Sequence, residues 1–133
     1  MSSLPGHWLL FAALIALSGC GHDKRHEAEK TLHQVGPDNL RHEAAALYKE
    51  LFVAPTGQYS LPKSDQWPPT FSRFTPLQVR AYADGFSLSL EVERDGERGL
   101  YVVPQGMDHV PTESDHAHFL KVSDGIYWYH FAH

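Results

Sequence analysis

From Leu40 to Phe52 the apolar positions Leu40, Ala44, Leu47 and Leu51 recur at helical spacing, with Tyr48 and Phe52 widening the stripe. Asp38-Asn39 can cap this helix, and Glu43 is placed for charge interaction in its first turn. Such a stripe needs something to pack on, either the protein's own sheet or the helix of a partner. Upstream, His22 to Val35 has good helix formers but few apolar residues (Ala28, Leu32, Val35), which predicts a solvated helix or tether ended by Gly36-Pro37.

Beyond Leu77 the period changes to two. Phe86, Leu88, Leu90 and Val92 alternate with Ser87, Ser89, Glu91 and Glu93, the pattern of a strand with one buried and one wet face. Asp84-Gly85, Asp95-Gly96 and Asp124-Gly125 each carry a turn signal. They delimit expected strands at 77–83, 86–93, 99–104, 116–123 and 126–131. Between Ala54 and Pro76 lie Pro55, Pro62, Pro68, Pro69 and Pro76, a density that excludes regular helix and central strand. The expected fold is α+β, with one or two N-terminal helices packed on a four- to five-stranded antiparallel β-meander.

Composition narrows the function classes. The formal net charge is −5 and basic residues do not cluster, which argues against nucleic acid and anionic headgroups as partners. There is a single cysteine, Cys20, so no intramolecular disulfide can hold the fold. The core has to do so, and six Tyr, seven Phe and three Trp make that feasible.

The segment before that cysteine is informative. Trp8 to Leu17 is an apolar run of ten residues, half of what a spanning helix needs, and Leu17-Ser18-Gly19-Cys20 follows it. This arrangement resembles the signal peptide and lipobox of bacterial lipoproteins, a resemblance confined to the first twenty residues. It implies removal of residues 1–19 and a diacylglycerol on the Cys20 sulfur, usually with a further acyl chain such as palmitate on the new amine. Two or three chains give stable anchoring. Gly21 stands where an Asp would signal inner-membrane retention in the enterobacterial rule, which favours the outer membrane. The expected organisation is a signal peptide at 1–19, a polar helical tether at 20–37 and a globular domain at 38–133.

Candidate chemistry is sparse. His116 and His118 stand two apart in an expected strand, and His130 across the hairpin could complete a three-nitrogen zinc or copper site. No Gly-x-Ser-x-Gly elbow, zinc-protease helix motif or glycine-rich phosphate loop occurs. Glu91 and Glu93 fall on an apparently wet strand face rather than in a site that would raise a carboxyl pKa. In Ile126–Phe131, rings point to both faces: Trp128 to one, Tyr127 and Tyr129 to the other. Either this is a covered central strand, or one face is a contact surface.

The expected function is a lipid-anchored, periplasm-facing module without catalytic activity or a resident cofactor. It would bind another envelope protein through Trp67, Tyr127, Trp128 and Tyr129. The alternative is a metal-binding lipoprotein using His116, His118 and His130.

Overall fold

The structure, a computed structural model, describes residues 20–51 and 57–133 and, among these, side chains from Lys24 onwards. The expected signal peptide at 1–19, the Cys20 side chain, Phe52 and Pro55 therefore lie outside the described residues. Three helices, α1 (Cys20–Val35), α2 (Pro37–Glu50) and the short α3 (Pro69–Ser72), accompany a six-stranded antiparallel sheet. Its strands are β1 (Gln58–Leu61), β2 (Gln78–Tyr82), β3 (Gly85–Glu93), β4 (Gly96–Val102), β5 (Ala117–Ser123) and β6 (Ile126–Ala132). The fold is mixed α+β. No described helix is long and apolar enough to cross a membrane.

The strand count is six rather than four or five, because β1 forms inside the proline-rich stretch. It is a four-residue edge strand paired only with β2 and ended by Pro62, a position where missing ladder donors cost little. The order β1-β2-β3-β4-β6-β5 also departs from a simple meander. The Asp-Gly turns close β2–β3, β3–β4 and β5–β6 as expected, but the segment between β4 and β5 carries the chain past the next position. β6 then returns to pair with both β4 and β5.

The outer edge of β5 is partly closed by its own approach segment. Ser114 and Ala117 form an isolated bridge, and the Glu113 carboxylate accepts from the Phe119 amide at 3.2 Å. Occupied edge groups cannot template another strand.

The sequence pattern of β3 breaks at one residue. The register against β4 shifts between Ser89 and Glu91, so Leu90 is the extra residue of a bulge. Phe86, Leu88 and Leu90 face the helices as expected. Glu91, instead of sharing the face of Ser89, pairs with Arg98 at 3.6 Å, and Val92 is left 60% exposed.

All three helices contribute to one core. Leu40, Ala44 and Phe71 are buried with Leu88, Leu100, Val102 and Ile126, so the α2 stripe packs on the protein's own sheet. The expectation of a solvated tether at the N-terminus is overturned on one face, because Ala28, Leu32 and Val35 are buried in the same cluster. Three apolar positions at i, i+4 and i+7 suffice to dock an otherwise charged helix. The break between α1 and α2 is one residue, Gly36, at φ 87°. Asp38 and Asn39 do not cap α2: the helix starts at Pro37, and the Asn39 amide donates to the Val35 carbonyl at 2.9 Å.

Two staples fix α2. Arg41 Nε donates to the Val103 carbonyl at 2.9 Å, and the Tyr48 hydroxyl donates to the Ala83 carbonyl at 2.6 Å. They tie it to the segment after β4 and to the β2–β3 turn.

Candidate functional site

The aromatic residues expected to form one contact surface are divided by the sheet. β6 is paired along both edges, and residues of both its faces are packed: Ile126 and Trp128 on one side, Tyr127 and Tyr129 on the other. Trp128 and Trp67 pack, half-buried, against the main core on the helix side. Tyr127 and Tyr129 belong to a second cluster on the opposite face with Tyr101 and Val103, and they are 8% and 0% exposed. Trp67, Tyr127, Trp128 and Tyr129 therefore do not share a surface. Phe119, Met107, Tyr82 and Phe131 pack against this second cluster.

That face also holds a polar centre. Arg80 on β2 donates from Nη1 to Glu97 Oε1 at 2.6 Å, and the Tyr129 hydroxyl donates to Oε2 at 2.7 Å. Burial pushes the Tyr129 phenol well above its ordinary pKa, and the Glu97 charge beside it adds to the rise. Burial disfavours the Arg80 cation, but the hydrogen bond and charge of Glu97 outweigh it and raise the pKa. Both Glu97 oxygens are committed within the fold, so this centre organises the face rather than presenting a free base.

At the rim, the Tyr101 hydroxyl donates to Asp84 Oδ1 while His109 Nε2 lies 2.7 Å from Oδ2. This contact ties the largely exposed 105–116 segment to the β2–β3 turn.

The histidines come together only in part. His118 and His130 are direct cross-strand partners with ring centroids 6.5 Å apart. His116 precedes β5, and its carbonyl accepts from the Ala132 amide at 2.8 Å. Among the described residues, no three His, Cys, Asp or Glu side chains converge on a position that could hold a metal ion.

A surface depression that sequence reasoning missed lies between α2 and the turn leading into α3. It encloses about 270 Å³ and is lined by Leu47, Trp67, Pro68 and Pro69 with Glu43 and Glu50. A second depression of about 400 Å³ adjoins it through Glu43 and Pro69, extending towards Asn39, His42 and Arg73. Trp67 is held by its ring N–H, which donates to the Leu61 carbonyl at 2.7 Å. Glu43 Oε1 accepts from the Thr70 amide at 3.2 Å, while Oε2 is buried without a hydrogen-bond partner among the described residues. Trp67 was the sequence signal here. Glu43 carried none, because its spacing in α2 says nothing of the α3 amide it meets.

No protein-family model matches the chain, and neither does any curated protein or solved structure.

Proposed function

We propose that this protein is a lipid-anchored module of the bacterial envelope, held through Cys20 and facing the periplasm, that binds another envelope protein without catalysing a reaction. The observation that carries the reading is the Leu17-Ser18-Gly19-Cys20 box behind an apolar run too short to span. The course of α1 bears on how such an anchor would hold the domain. Cys20 belongs to α1, which is docked from Ala28 onwards, so at 1.5 Å per residue the lipidated residue would lie only about 12 Å from the core. The domain would then sit close to the bilayer rather than swing on a tether. Gly21 favours the outer membrane.

Two features support binding over catalysis. The Arg80–Glu97–Tyr129 centre is closed on itself, and the depression beside Trp67 offers apolar walls and two carboxylates on a rigid frame. Intact mass of the protein extracted from membranes tests the anchor. The expected species lacks residues 1–19 and carries diacylglycerol on Cys20, and Cys20→Ala leaves it unlipidated with its fold unchanged. A full-length, unmodified N-terminus would refute the reading.

A further inference from the structure

We infer that the cleft between α2 and the Trp67–Pro69 turn is the docking site for a basic segment of a partner protein. An apolar side chain of the partner sits against Trp67, Pro68 and Leu47, and a neighbouring Lys or Arg pairs with Glu43 and Glu50. This rests on the reading of the protein as a binding module and names where, and with what chemistry, it binds.

Charge selects the occupant. The residues lining the 270 Å³ depression include two carboxylates and no Lys or Arg. A cationic segment is favoured there and an acidic one repelled, which sets both encounter rate and specificity. Glu43 strengthens the argument. One of its oxygens serves the Thr70 amide and the other has no partner among the described residues, although a buried acceptor without a donor is costly. A small rotation of the carboxylate towards the cleft would give that oxygen a partner's ammonium or guanidinium as donor.

Rigidity favours a formed cleft over a surface that closes on demand. One wall is α2, stapled at Arg41 and Tyr48. The other is Trp67, pinned to Leu61, followed by Pro68 and Pro69, whose ring-fixed φ leaves little to order on binding. Aromatic and proline walls with an acidic rim suit an extended peptide carrying one apolar anchor.

The test is site-specific photocrosslinking of the full chain in living cells. The probe replaces either Ala46, exposed at the cleft, or Val92, exposed at the bulged end of β3. Crosslinked peptides are sequenced by mass spectrometry, with Glu50→Lys as the charge-reversed control. The expected result is capture from Ala46 of segments of one other protein with Lys or Arg beside the crosslinked residue. Reversing one charge at the rim should lower that yield about tenfold. Captured segments without a cation, segments of a second copy of this chain, or residues 52–56 of the same chain would overturn the proposal. Capture from Val92 alone would overturn the cleft and keep the binding reading, whereas capture from neither position would overturn both. The anchor is judged separately by the mass of Cys20, so its failure cannot be mistaken for failure of the cleft.

Discussion

Arg80 and Glu97 sit on strands that are not neighbours, and their side chains meet across β3 with Nη1 2.6 Å from Oε1. The residues of β3 that share this face, Ser87 and Ser89, are small and fully covered. Small residues leave room for the guanidinium to lie over the central strand. The pair thus ties β2 to β4 directly, and Tyr129 brings β6 into the same network.

Glu97→Ala removes the acceptor shared by the Arg80 guanidinium and the Tyr129 hydroxyl. Arg80 keeps a quarter of its side chain in solvent, which moderates the cost below that of a fully buried pair. The expected loss is about 1.5–3 kcal/mol, the range for hydrogen bonds to charged groups. Urea denaturation measures it. A change under about 0.5 kcal/mol, typical of surface sites, would mean that the pair contributes nothing to holding the strands.

Replacing Leu40 and Leu47 in turn should separate a buried position of α2 from one that lines the cleft. Leu40 is fully buried, so Leu40→Ala should cost about 2–5 kcal/mol. Leu47 packs on the core from a half-buried position, and Leu47→Ala should cost about 1 kcal/mol. Equal losses in chemical denaturation would mean that Leu47 is as enclosed as Leu40, leaving no open wall for a partner.

What the sequence revealed and what it hid follow from how local each cause is. The Asp-Gly turns are local, so the three tight hairpins were legible, as was the helical stripe led by Leu40. The β1–β2 pairing was hidden because prolines obscure a four-residue edge strand and a long connection separates it from β2. The bulge at Leu90 is a one-residue register shift that leaves the alternation of letters untouched, so Glu91 was placed on the wrong face. Pairing of β6 with β4 depends on a long connection whose path no spacing dictates. Docking of α1 depends on a sheet surface that its own polar sequence does not describe. The same distinction governs the site. Trp67 stood out as an aromatic among prolines, but the carboxylates opposite it are ordinary helix residues until the chain folds back.

Alkaline titration should expose the buried phenols. Burial raises the pKa of both Tyr101 and Tyr129 above the ordinary value of about 10, with Asp84 and Glu97 adding to the rise. A folded-state pKa above the unfolded one gives stability that is whole below about pH 10 and is lost as the pH climbs towards the folded value. The protein should therefore unfold in base, with Tyr101 and Tyr129 ionising only in that step. Phenolate absorbance followed together with circular dichroism checks this, and Tyr129→Phe should halve the late absorbance step. Ionisation of every tyrosine ahead of the loss of structure would contradict the buried network.

Zinc should bind weakly and without saturating at one equivalent. His118 and His130 face each other across β5 and β6, with His130 Nε2 3.7 Å from Asp95 Oδ2. Two imidazoles fall short of the three or four ligands a tight site requires, and His116 lies beyond the end of the strand. The carboxylate that could assist is engaged by Arg98 at 2.8 Å, which holds its pKa down and would compete with a metal. Titration calorimetry of the mature protein at mildly alkaline pH tests this under conditions that favour the metal. A His118→Ala, His130→Ala double variant is the control. Stoichiometric nanomolar binding that vanishes in the variant would shift the function to metal capture, whereas shallow heats common to both proteins would leave the cleft beside Trp67 as the working site.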